Sequence, residues 1–202
     1  FKQKTAYEML RSLVGSEMCI RDRHWEGHVP DPGELTAQDK ELLTTIENGF
    51  ETVGNELEAV HLRNAVGEAM RLATEVNRYL DLTAPWNLIK TDKAAAGRAI
   101  FTALRAIDSL KILFAPFLPF TSEKLNTYLG YSQPLFGTQG VETVQDELGE
   151  HTVLRYYSGQ ASGRWEASQL AAGTRLQSPQ PLFRKLDSSI VGEERARLGK
   201  PS

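Results

Sequence analysis

Between Thr36 and Phe114 the apolar residues of this chain return every three or four positions in three successive runs, a period that builds helices rather than strands. In the first run Leu43, Ile46, Phe50, Val53 and Leu57 form one stripe. Thr36 with Asp39 resembles a capping box in which Asp replaces the usual Glu or Gln. A second helix is predicted from about Leu62 to Leu82, burying Val66, Ala69, Met70, Ala73, Val76 and Leu80. Ala84-Pro85-Trp86 stops it, because proline disfavours helical geometry in the residue before it. Thr91 or Asp92 caps a third helix with the stripe Ile100, Ala103, Leu104, Ile107, Leu110 and Phe114, ended by Pro116. Pro116 and Pro119 bracket an apolar hinge, and Thr121 or Ser122 starts a short fourth helix ending before Gly130. Beyond Gly130 the period decays into Gly, Pro, Gln and Ser, so Tyr131–Ser178 is expected to be mostly loop. Order returns as an extended stretch over Pro181–Asp187 and a short helix over Ser189–Leu198. The implied fold class is all-α: an antiparallel helical bundle over residues 24–130 with a long irregular C-terminal segment over residues 131–202.

Phe1–Arg23 shares none of this patterning. It has neither the continuous apolar core nor the small-residue cleavage site of a signal peptide. Lys2–Glu8 (KQKTAYE) back-translates to a flow-cell primer, and Leu13–Arg23 (LVGSEMCIRDR) to a transposase end sequence in the same frame. Met9–Ser12 occupies the slot of the variable index. Residues 1–23 therefore resemble a translated sequencing adapter, and genuine protein is expected from about His24, as a fragment whose first bundle helix is cut short. The alternative is a genuine, poorly patterned tail.

Charge narrows the class of partner. The formal net charge of -3, from 23 basic and 26 acidic residues, argues against a general nucleic-acid coat protein. Its distribution is uneven: His24–Val60 carries nine acidic residues and one basic, whereas His61–Lys111 carries eight basic and five acidic. The second and third helices are thus suited to an anion, or else they carry ordinary solvated pairs at helical spacing. The single cysteine, Cys19, excludes an internal disulfide framework and a multi-cysteine zinc site, and points to a reducing compartment, the cytoplasm. No run of eighteen apolar residues is present, so no membrane partner is expected.

No catalytic constellation emerges. His24 and His28 lie in a loop marked by Pro30, Pro32 and Gly33 with no third ligand nearby, so no metal site is expected. There is no phosphate-binding glycine loop and no nucleophile elbow. What stands out is Asn77-Arg78-Tyr79-Leu80 leading into Ala84-Pro85-Trp86-Asn87-Leu88-Ile89-Lys90, with Lys93 close behind. A tryptophan fixed by a preceding proline at a helix junction is either a lid that seals the bundle end or a stacking platform for an unpaired base.

The strings NRYLDLTAPWNLIK, AIDSLKILFAPFLPFTSEKLNTYLGY, PLFRKLD and VGEERARLG together resemble, in order and spacing, the C-terminal anticodon-binding region of bacterial methionine–tRNA ligases, class I synthetases. The resemblance covers essentially His24–Gly199. It implies a helical bundle that reads the CAU anticodon of tRNA, with Trp86 stacking on an anticodon base. Pro85, Asn87 and Lys90 would belong to that site, and Arg78 and Lys93 would reach phosphates. The asparagine and arginine that the family's first bundle helix supplies would lie upstream of His24. PLFRKLD resembles the family's peptide that folds back toward the catalytic domain, which makes Pro181–Asp187 a structural clasp. The family's HIGH and KMSKS signatures do not occur, so the piece is expected to be inactive by itself and to need no cofactor. ATP, and zinc where present, would belong to the missing catalytic part. Two alternatives stay open: a relative serving isoleucine, valine, leucine or cysteine, or a helical protein-interaction domain that binds no RNA, favoured by the acidic first helix.

Overall fold

Thr36 and Asp39 do close a capping box. The Asp39 amide donates to Thr36 Oγ1 at 3.3 Å and the Thr36 amide donates to Asp39 Oδ2 at 2.7 Å, starting α1 (Ala37–Glu58). The structure is a computed structural model that describes residues 24–147, 149–178, 180, 182, 187 and 189–198. The adapter-like residues 1–23 lie outside the described residues, as does most of the Pro181–Asp187 clasp.

After α1 come α2 (Leu62–Thr83), the single turn α3 (Pro85–Leu88), α4 (Lys93–Leu113) and α5 (Pro119–Tyr128). Asp92 is the cap of α4, accepting from the Ala95 amide at 2.9 Å. The start of α5 differs from expectation: Pro119, not Thr121 or Ser122, takes the first helical position, where its missing N–H and fixed φ cost nothing. α1, α2 and α4 pack on one another, and α4 is buried on nearly every side. Ile46, Leu72, Ile100, Leu104, Leu110 and Leu113 fill the centre.

The α1 stripe is centred one position from the predicted one. Leu42, Ile46, Gly49 and Val53 face the core, while Leu43, Phe50 and Leu57 flank it. The small Gly49 sits at the centre because Leu72 of α2 occupies the space a larger side chain would fill.

The expectation of an all-α chain with a loop over Tyr131–Ser178 is corrected. The protein is mostly helical, but β1 (Thr138–Asp146) and β2 (Gly149–Tyr157) pair antiparallel, Val141 opposite Leu154 and Val144 opposite His151. Its backbone groups are satisfied by each other rather than by the bundle, which is why a stretch without a helical period still orders. The connections on either side are pinned to the helices. The Glu123 carboxylate accepts from the Leu135 and Phe136 amides, and Trp165 donates its indole N–H to the Phe50 carbonyl at 2.9 Å. Farther on, Val29 and Thr174 pair through a backbone bond of 2.9 Å, drawing the end of the wrap back to the start of the described chain. The last helix, α6 (Ile190–Leu198), is exposed. No helix among the described residues is long and apolar enough to cross a membrane.

Candidate nucleic-acid interface at the Trp86 corner

The corner between α2 and α4 is built by one dipeptide. Pro85 disfavours right-handed helical geometry at Ala84, which adopts φ 40° and ψ 58°, an uncommon state for a residue with a Cβ. There the Ala84 amide donates to Leu80 O at 2.8 Å, closing α2. Its carbonyl accepts from the Asn87 and Leu88 amides at 2.8 and 3.1 Å, opening α3. Pro85 is buried at the first position of that turn. Trp86 is half-buried against the core, whereas Asn87, Lys90 and Lys93 are exposed. The sequence-predicted Pro85, Trp86, Asn87 and Lys90 thus share one corner, and Lys93 opens the helix that leaves it.

Most of the local positive charge is committed elsewhere. Arg71 binds Glu68 at 2.7 Å, Arg98 approaches Asp39 at 3.3 Å, Arg105 donates to Ser168 O at 2.6 Å, and Lys111 pairs with Asp108 at 2.8 Å. The Arg71 hydrogen bond holds the Glu68 carboxyl below its ordinary range, and burial pushes the Lys111 ammonium down against the opposing pull of Asp108. Arg78 pairs with Glu75 at 2.5 Å and lines a groove between α1 and α2 with Gln38, Glu41 and Tyr79, so its guanidinium is bound to a carboxylate of its own helix. Lys90 makes no ion pair with the described residues.

Two features of this end were not legible beforehand. Lys93 Nζ lies 5.5 Å from the centroid of Trp25, a cation–π arrangement, and the edge of that indole fits against Gly97 of α4. Trp25 sits in an aperiodic segment, and its only sequence signal was an isolated glycine inside an apolar helix, the mark of a close approach. The second feature is Asp39, which does more than cap α1: its Oδ1 accepts from the Tyr79 hydroxyl at 2.5 Å. Among the described residues no three His, Cys, Asp or Glu side chains are placed to hold a metal ion.

Residues 29–153 match the model of the anticodon binding domain of methionyl tRNA ligase. The chain is 52% identical over 203 residues to the methionine–tRNA ligase of Thermomicrobium roseum, covering 98% of the chain and 35% of that protein. It is 45% identical over 173 residues to the Chloroflexus aurantiacus enzyme, covering 85% and 29%. The chain therefore spans about a third of the length of these relatives. The apo form of Mycobacterium tuberculosis methionyl-tRNA synthetase superposes with a TM-score of 0.71 at 21% identity, covering 90% of this chain and 32% of that one, a likeness of fold.

Proposed function

The chain belongs to the family of methionyl-tRNA ligase anticodon-binding domains, and on that premise we propose that it reads the CAU anticodon of tRNA at the Trp86 corner. The whole protein, of which this is the recognition region, would join methionine to that tRNA at the expense of ATP in the cytoplasm. The observation that carries the reading is the coincidence at one corner of a half-buried indole and cations not consumed by ion pairing. An unpaired base stacks on the open part of Trp86, whose ring the Pro85 turn and the core hold still. Lys90 and Lys93 lie where they can meet the base's phosphate, and Asn87 offers an exposed amide to its edge. Arg78 contributes only if an RNA phosphate displaces Glu75. ATP and any zinc would be handled by the catalytic part.

The test is Trp86→Ala in the full-length enzyme. Loss of a stacked base costs about 1–3 kcal/mol, so tRNA charging at subsaturating tRNA should fall about 5- to 150-fold. Methionine-dependent ATP–pyrophosphate exchange, which needs no tRNA, should be unchanged. An equal fall in both activities would make Trp86 a lid of the bundle and not a platform.

A further inference from the structure

We infer that Asp39 is a positioning residue for anticodon recognition: its buried carboxylate joins the two helices that flank the Trp86 corner and so fixes where the indole stands. This rests on the reading of Trp86 as the base platform.

Asp39 is 2% exposed, unusual for the third residue of a helix, where a capping-box side chain ordinarily meets water. Its Oδ2 accepts from the Thr36 amide and hydroxyl, both at 2.7 Å, which completes the cap. Capping requires nothing more, yet a further donor and a counter-charge arrive from two other helices. The Tyr79 hydroxyl, on a residue 3% exposed near the end of α2, donates to Oδ1 at 2.5 Å. Arg98 of α4 brings its Nε to 3.3 Å from Oδ2 and supplies the counter-charge.

Tyr79 precedes the corner in sequence and Arg98 follows it. Both ends of the intervening stretch therefore meet on one carboxylate carried by a third helix, and Pro85–Leu88 forms the far side of the closed loop. The Tyr79 carbonyl also accepts from Thr83 Oγ1 at 2.8 Å, carrying the constraint into the last turn before Ala84. Buried apolar side chains would hold three helices together equally well; a carboxylate with directed donors fixes their register and rotation as well. A base platform demands that second property, because stacking depends on the plane of the ring.

The experiment uses the full-length enzyme and a tRNA with 2-aminopurine in the anticodon, whose fluorescence falls on stacking. Tyr79→Phe removes only the hydroxyl and leaves the Asp39–Arg98 pair; Asp39→Asn keeps the shape and loses the charge. Well below each variant's Tm, Tyr79→Phe should raise the KM for tRNA about fivefold with kcat nearly unchanged, and should weaken the 2-aminopurine quench. Asp39→Asn should do the same more strongly, and Tyr79→Phe decides the matter if Asp39→Asn does not fold. A lower Tm with unchanged KM and quench, while Trp86→Ala still raises KM, would overturn the positioning role and leave the platform standing. Unchanged KM in Trp86→Ala would remove the platform and this inference together.

Discussion

A methyl group on Gly130 would meet two obstacles at once. The residue has φ 88°, a conformation glycine adopts without strain, and the Arg175 carbonyl occupies the place of its Cβ. Gly130→Ala is therefore expected to lower stability by about 1–3 kcal/mol, read as a fall in Tm, with the damage localised where the wrap meets the end of α5. At Tyr79 the decisive quantity is a proton. Burial, reinforced by the Asp39 carboxylate, raises the phenol's pKa well above its ordinary value, and Arg98 opposes this only weakly. A raised folded-state pKa contributes stability that is complete below the unfolded value of about 10 and is lost as pH climbs beyond it. Thermal unfolding followed from neutral to strongly alkaline pH should thus show a steeper decline above about pH 10 in the natural protein than in Tyr79→Phe. Parallel declines would mean that the phenol ionises equally in both states.

The elements divide by how their order arises. Lys111 of α4 is 4% exposed and reaches the Asp108 carboxylate at 2.8 Å, Asn126 Oδ1 at 2.9 Å and the face of Tyr131. Asp108 also accepts from the Tyr131 hydroxyl at 2.8 Å and from Ser168 Oγ at 2.6 Å, so one carboxylate ties α4 to two separate points of the C-terminal segment. Lys111→Met would strand that carboxylate without its counter-charge, at a cost of about 3–5 kcal/mol in urea unfolding. The Ser168 and Leu170 amides, held by Ser109 and Ser168 oxygens, should exchange hydrogen faster than those of α2. None of this was visible beforehand, because Lys111 and Asp108 at helical spacing read as one more surface pair until burial is known. The helices were legible for local reasons: the Thr36 cap, the Asp92 cap and the Pro85 stop act within a few residues. The hairpin was not, since Val141 and Val144 fall on opposite faces and its turn lacks the Asn-Gly type of signal. The Pro85–Trp86 corner was legible as a junction; the support from Asp39 and the neighbouring Trp25 was not, because both come from segments distant in sequence.

At the scale of the whole chain the charge balance sets how the proposed RNA partner would approach. The segment His24–Val60 has a net charge of -8 from nine acidic residues and one basic, so the flank formed by α1 repels phosphate. On α2 and α4, Arg71, Arg78, Arg98 and Lys111 are neutralised by carboxylates within the bundle. What remains near the platform is Lys90 and Lys93, a cationic patch of two. On the proposed reading, affinity at the corner comes mainly from stacking, with a shallow ionic contribution. Two phosphate contacts on a single-stranded loop correspond to a slope of about -1.4 in log K against log salt, or about a sevenfold loss between 50 and 200 mM. Binding of a CAU stem–loop by the full-length enzyme should follow that slope, and Lys90→Ala should roughly halve it while weakening binding less than Trp86→Ala does. A slope several times steeper would place the main phosphate contacts on another face. A slope that Lys90→Ala leaves untouched would remove Lys90 from the interface while keeping the indole.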